Sequence, residues 1–494
     1  MATNSSLLSS ATLYNTLTDI TNFRAIVWNQ QVMQTMRLKS RWRHFAGGEG
    51  SGMPITKKSD LSAGMAQDVV FTTLSPMLGQ GVLGETILRT ATQGLNFNTF
   101  SVRVDVLRQA FAYTQLLPLM RLKNQTIDQV GANLTSDWWN NKYDDDIMIT
   151  LRERARLNSP GANLYRVGNG ATVNALTSSN IVSATVIEAS KGLLQSNGGT
   201  PIAEDAAQTS GAPVFQYLFN TTDPFMRPMR QNATYQAFLQ YADVRGKDNA
   251  LFTGRYPLWD NNLIYALPVQ TNDGDGRQGT PLLPIAYLGT ALADGTAVTT
   301  VTGGGTAYAA GTGDYFAYFP GFAWKTYTGQ SLDSDTATYY LMIYNVSGAD
   351  AGKYEVVSYL ASGVDTTGKQ ITVTRNGLGE GANQRANASS KYTAGHPSGS
   401  PIVPCNSQGV PYGWALHLGA EALFYATGSK DAEPIFQGDD FHDAQGKYMF
   451  EGRGILGIRG MAPFVDKRSL AKNFVMVEAA INPHPLVSPV AWTG

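Results

Sequence analysis

Apolar residues recur at spacings of three and four from Ile127 through Val130, Leu134 and Trp138 to Tyr143, Ile147 and Leu151, with polar residues between them. This period predicts an amphipathic helix of roughly 25 to 30 residues, about 40 Å long, stopped by Asn158-Ser159-Pro160-Gly161. On that phase Trp138 belongs to the core and Trp139 to a flank or an interface. The run Asp144-Asp145-Asp146 reads as a solvated helix face. A second helix is expected around Thr177–Leu194, with Ser178 or Ser179 as its cap. Helical patterning returns in Trp414–Thr427, around Leu418-Gly419-Ala420-Glu421-Ala422.

Extended segments have a different signature. Val69-Val70-Phe71 and Phe100-Ser101-Val102-Arg103-Val104 read as two strands. The glycine-bearing stretch Gly79-Gln80-Gly81-Val82-Leu83-Gly84-Glu85 lies between them. Together they describe a projecting hairpin that buries little on its own subunit and docks on a neighbour. Further strands are expected at Thr338–Tyr344, Tyr354–Leu360 and Lys369–Arg375, the last followed by the turn pair Asn376-Gly377, and at Ile455–Met461 and Phe474–Ala480. The stretch 270–404, dense in Gly, Thr, Ala and Tyr, reads as a small β-rich module inserted into a larger domain. Its opening, Asn272–Gly313, reads as a mobile loop. At the start of the chain, Arg37, Lys39, Arg41 and Arg43 alternate with Leu38 and Trp42, which suits an extended segment. Ala46–Gly52 then reads as a flexible hinge, so 1–55 is expected to be an arm with little core of its own.

Composition adds a constraint. In 494 residues, 43% are hydrophobic but only 15% are charged, against about 25% in ordinary soluble domains. Sparse charge in a large chain points to a surface covered by other subunits. The 37 basic and 38 acidic residues leave a net charge of −1, which excludes a globally basic nucleic-acid coat. Cys405 is the single cysteine, so an internal disulfide framework and a multi-cysteine metal site are excluded. No apolar run approaches the roughly 18 residues that span a bilayer, and neither a secretory leader nor a membrane partner is expected.

The search for chemistry returns little. His44, His396, His417, His442 and His484 form no metal-ligand spacing. Asp439-Asp440-Phe441-His442-Asp443 is explained by a solvated turn. Gly303-Gly304-Gly305 lacks the lysine of a phosphate loop, and no GxSxG elbow is present. No cofactor, metal or catalytic residue is assigned, and the chain is not expected to be an enzyme. The basic stripe Arg37–Arg43 suits either nucleic-acid phosphates or acidic patches on adjacent subunits.

Four segments in order carry a family resemblance: Asp60-Leu61 through Asp68-Val69-Val70-Phe71 to Gly84-Glu85; Val102-Arg103-Val104-Asp105 with Arg108 and the long helix; Ala250-Leu251-Phe252-Thr253-Gly254 to Leu263-Ile264; and Leu418–Ala422, Gly457-Ile458-Arg459-Gly460-Met461 and Phe474–Ala480. The sequence resembles the tailed-bacteriophage major capsid proteins of the Hong Kong 97-type fold, and most closely the branch found in N-four-like phages. The stretch 270–404 departs by its length. Within it, Val373–Gly379 and His396-Pro397-Ser398-Gly399 resemble a β motif of phage structural proteins.

The resemblance implies an α+β subunit. Residues 1–55 would be the N-terminal arm, 56–115 the E-loop hairpin and 116–160 the P-domain spine helix. Residues 161–269 would give A-domain and P-domain core, 270–404 the insert, 405–449 the A-domain return and 450–494 the closing P-domain strands. It implies self-assembly through hexamers and pentamers into an icosahedral shell around double-stranded DNA. Portal, scaffold and possibly decoration proteins would be the other partners, with the virion as location. The residues expected to serve assembly are Arg37, Lys39, Arg41, Arg43, Gly79, Gly81, Gly84, Glu85, Arg103, Arg108 and Trp139. Two other readings stay open, a tail or baseplate component and a glycan-binding or carbohydrate-active protein.

Overall fold

The computed structural model describes residues 42–58, 68–74, 97–114, 127–157, 162–170, 172–202, 217–233, 235–237, 258–267, 279, 286–288, 298–302, 338–345, 354–360, 364–365, 370–378, 396–427, 433–437, 450–465 and 471–481. The long helix α1 spans Ile127–Leu157, and its 31 residues meet the expectation from periodicity. Its surroundings do not. Every residue from Tyr143 to Arg152 is buried, because α1 lies between two six-stranded sheets.

The first sheet runs β1 (Ala46–Gly48), β2 (Ile55–Lys58), β18 (Leu423–Thr427), β20 (Phe450–Pro463) and β19 (Glu433–Gln437), with β5 (Asp105–Thr114) also on β20. The second runs β6 (Leu164–Arg166), β21 (Phe474–Ala480), β17 (Tyr412–Leu418), β7 (Tyr217–Thr222), β9 (Asn262–Leu267) and β8 (Leu258–Trp259). Tyr143, Ile147, Met148 and Leu151 of α1 meet Ile55, Leu423 and Tyr425 from the first sheet and Trp414, Leu416 and Met476 from the second.

Strand alternation sends the remaining side chains outward. On the second sheet Phe219, Ile264, Ala415 and Val477 pack under α2 (Ala184–Ser196) and α3 (Asp223–Gln231). On the first, Phe424 and Ala426 pack under a hairpin of β3 (Asp68–Leu74) and β4 (Phe97–Arg103), paired from Asp68↔Arg103 to Leu74↔Phe97. The layers are therefore hairpin, sheet, helix, sheet, helices.

A third sheet takes all seven strands described between 286 and 405. Its order is β10 (Ala286–Tyr287), β16 (Pro401–Cys405), β12 (Thr338–Tyr344), β13 (Tyr354–Leu360), β15 (Gln370–Leu378) and β11 (Val298–Thr302), with β14 (Val364–Asp365) on β15. It has separate buried clusters, one around Leu341, Val357 and Ile402 and one around Met342, Val356 and Val403. Entry and exit of this stretch meet, since the Trp414 amide donates to the Gly279 carbonyl at 2.8 Å.

Several expectations are corrected. Trp414–Thr427 holds β17 and β18 rather than a helix, because both strands are buried on both faces and so read as continuous apolar runs. The second helix starts at Ala184, after Ser183, rather than near Thr177. Asn376-Gly377 lies inside β15, where the register against β13 shifts between Val356 and Val357; the pair is a bulge, not a turn. Asn272–Gly313 is no simple loop, since it supplies β10, β11 and the buried Leu288. Ala46–Gly48 of the expected hinge is a strand parallel to Ile55–Lys57. The end of the expected arm belongs to the core, with Trp42, Phe45 and Ile55 buried against it, and Arg43 opens a short 3-10 turn instead of continuing an extended run.

Candidate assembly interface

The hairpin is anchored on its own chain before it can reach any other. Phe71 stacks on Phe100 at 5.4 Å, and both rings meet Phe424 edge-on at 4.7 Å. Phe464 closes the cluster 5.6 Å from Phe100. Lys58, below the hairpin, donates to the Val70 carbonyl at 3.3 Å and pairs with Glu49 at 3.1 Å. The expectation of a loop with little purchase on its own subunit is thus wrong for its base: Val69, Phe71, Val102 and Val104 are all buried there. The outer face differs. Val70 is 51% exposed, Val106 53% and Ile458 37%, and Val106 lies directly opposite Ile458 in the β5–β20 register.

The spine helix carries charge into the interior. Asp144, Asp145 and Asp146 are buried, which overturns the solvated-face reading. Asp146 receives Lys142 at 2.6 Å and the guanidinium of Arg459, whose own chain lies 313 residues away. Burial pushes the Asp146 carboxyl up, and those two cations pull it back. Arg459 also sits over the Trp139 ring at 4.8 Å, and Arg152 over Trp414 at 5.4 Å. The tryptophan assignment is reversed: Trp139 is buried and Trp138 only half so. The phase slips because the helix is enclosed on every face from Tyr143 to Arg152, so no single apolar stripe sets it.

Of the other residues expected to serve assembly, Arg37, Lys39, Arg41, Gly79, Gly81, Gly84 and Glu85 lie outside the described residues. So do 250–254 of the resemblance and the cluster Asp439–Asp443. Arg43 is described by its backbone alone. Arg103 is exposed at the end of β4, next to exposed Asp105, and Arg108 pairs in register with Leu456.

Two histidines missed at the sequence level join distant strands. His396 lies 2.8 Å from Glu355 and 2.6 Å from the Asn345 side-chain oxygen, all buried, where β12 and β13 meet the turn into β16. His417 lies between Ser190 and Asn262, each at 2.9 Å. For His417 the signal in the sequence is its place inside an apolar run, and for His396 it is the His396-Pro397-Ser398-Gly399 stretch. Among the described residues no group of three metal-ligating side chains occurs, and no helix is long and apolar enough to cross a membrane.

This arrangement of hairpin, sheets and enclosed helix is a mixed α+β fold similar to that of phage capsid proteins. A chain of the capsid of Ralstonia phage GP4 superposes with a TM-score of 0.53 at 12% identity, covering 93% of this chain and 96% of that one. A chain of the cyanophage Pam1 capsid asymmetric unit gives a TM-score of 0.50 at 12% identity, covering 90% and 93%. No family model matches the sequence, and no curated protein sequence matches it significantly.

Proposed function

We propose that this protein is the major capsid protein of a tailed phage, assembling with copies of itself through hexamers and pentamers into the head shell. The observation that carries the reading is the extent of the likeness: the fold of the Ralstonia phage GP4 capsid chain is matched over 93% of this chain and 96% of that one, leaving little of either unaccounted for. In this reading the hairpin β3–β4 is the base of the E-loop and α1 the P-domain spine. Strands β6 to β9 and β17 of the second sheet, with α2 and α3, form the A-domain side, and β21 belongs with the closing P-domain strands. The sheet drawn from 286–405 is the insert, projecting from the shell, and its entry and exit side by side at Gly279 and Trp414 support that view.

Function is then mechanical. Each subunit has a stiff body, the helix clamped between two sheets, and offers exposed apolar positions such as Val106 and Ile458 to neighbours. Many weak repeated contacts sum to a stable shell. The low charge content suits interfaces whose cores exclude charge. Portal, scaffold and decoration proteins and packaged double-stranded DNA would be the further partners, and the virion the location. Kinship with the N-four-like branch rests on the sequence motifs.

Expressing the full chain and following it by sedimentation with negative-stain imaging tests this reading. Megadalton shells, or rings of five and six, are expected, and removing 60–100 should abolish them. A chain that stays monomeric with purified scaffold present and binds or cleaves glycans would overturn it.

A further inference from the structure

We propose that Asn169-Gly170 is a self-modifying site, at which the folded chain converts its own asparagine to isoaspartate and aspartate with release of ammonia. The proposal concerns the folded subunit and stands whether or not the chain builds a shell.

Asparagine followed by glycine occurs three times, at Asn169-Gly170, Asn197-Gly198 and Asn376-Gly377. The order matters because glycine has no Cβ to shield its backbone nitrogen, which can then reach the side-chain carbonyl carbon of the residue before it. Folding decides which of the three pairs keeps that freedom.

Asn197-Gly198 is tied at both reacting ends. The Asn197 carboxamide nitrogen donates to the Ala162 carbonyl, and the Gly198 N–H donates to the Gln195 carbonyl at 2.9 Å as the chain leaves α2. Asn376-Gly377 sits inside β15, between Arg375, paired with Val357, and Leu378, paired with Val356. For a ring to close there, the strand must first part from β13.

Asn169 is held differently. It stands in the turn after β6, where Gly168 has φ 79° and Asn169 φ 54°, a left-handed pair that glycine and asparagine adopt most readily. Its side chain is exposed, and no hydrogen bond among the described residues holds its carboxamide. The turn is fixed by its neighbours instead. Arg166 donates to the Gly170 carbonyl at 2.8 Å while pairing with Glu478 at 2.6 Å, and Gly168 lies against the Asn180 side chain.

The reaction needs only water. The Gly170 nitrogen adds to Cγ of Asn169, and the carboxamide nitrogen leaves as ammonia, carrying the proton lost from the Gly170 N–H. Water then opens the five-membered imide at one of its two carbonyls. Opening at Cγ leaves aspartate. Opening at the backbone carbonyl leaves isoaspartate, whose main chain runs through Cβ and Cγ and is one carbon longer. One water enters, one ammonia leaves, nothing is oxidised or reduced, and the chain gains one negative charge.

Ageing the full chain in mildly alkaline buffer, folded and in urea side by side, tests this by peptide mapping with mass spectrometry. Isoaspartate is scored by enzymatic methylation of its free carboxyl. In urea the three pairs should react at similar rates. In the folded chain Asn169 should keep that rate to within about threefold, while Asn197 and Asn376 slow by about tenfold or more, since the bonds that hold them must open first. Asn169 slowed by folding as much as the other two, or either of those reacting before it in the folded chain, overturns the proposal. Asn169→Gln should accumulate acidic species on ion exchange far more slowly than the wild type, and accumulation at the wild-type rate overturns it as well.

Discussion

Gly460 on β20 lies against the backbone of Arg103, so close that a Cβ added there would sit 2.1 Å from the Arg103 carbonyl oxygen. This contact brings the end of β4 onto the first sheet at the point where the chain turns into β5. Gly460→Ala should force the two backbones apart and cost about 1–3 kcal/mol, the usual range for overpacking. Thermal unfolding should show the loss. Limited proteolysis should show earlier cleavage between 68 and 103 than in the wild type, and equal cleavage would contradict the contact's importance.

The aromatic cluster under the hairpin makes a separable prediction. Phe424→Ala removes the ring that meets both Phe71 and Phe100, and should destabilise the chain by about 3–5 kcal/mol. Val70→Ser on the exposed face of the same hairpin should leave the unfolding midpoint within error. Comparing the two by denaturant unfolding distinguishes anchoring on the subunit from exposure at the outer face. On the capsid reading, Val106→Asp should leave the monomer's stability nearly unchanged while reducing assembly yield.

Breaking the buried ion pair from either side should be costly. Asp146→Asn leaves the Arg459 guanidinium in the core without its carboxylate, and Arg459→Met leaves Asp146 with Lys142 alone. Each single change should cost about 3–5 kcal/mol, and the double change less than their sum. A double-mutant cycle by urea denaturation measures the coupling, and strict additivity would argue against a direct pair.

Replacing 286–405 with a short flexible linker should leave the rest of the fold standing, because the flanking chain already meets through Gly279 and Trp414. Circular dichroism and a cooperative unfolding transition are the readouts. Collapse of the first two sheets would show that the third supports them. His396→Ala in the full chain should act in the opposite place, loosening the β12–β13 end beside Glu355 and Asn345 without moving the transition of the other sheets.

The parts legible in the sequence are those whose signal is local. The period through Ile127 and Leu151 gives α1, and the β-branched and aromatic runs give β3, β4, β12, β13, β15, β20 and β21. What the sequence hides is set by partners far along the chain. Asp146 looks solvated until Arg459 is brought to it, and Trp139 looks peripheral until the same guanidinium covers its ring. Leu418-Gly419-Ala420-Glu421-Ala422 has helix-forming composition. Yet Gly419 must lie flat against the Thr200 carbonyl, 2.3 Å from where a Cβ would stand, and Glu421 turns the chain at φ 55°. Tertiary contact overrides propensity at such positions. The candidate interface was legible only in outline, as a hairpin, because the sequence does not say which of its faces is spent at home.

The meeting of Gly279 and Trp414 has a consequence for how such a chain changes over time. A backbone hydrogen bond closes the doorway, so the length of polypeptide beyond it is uncoupled from the spacing of the two sheets and the helix between them. Residues 286–405 could be enlarged, exchanged or lost without re-cutting the tile beneath. On the capsid reading, the body and its appendage can then be selected for different things, the one held to a fixed outline and the other free to answer whatever the outside presents.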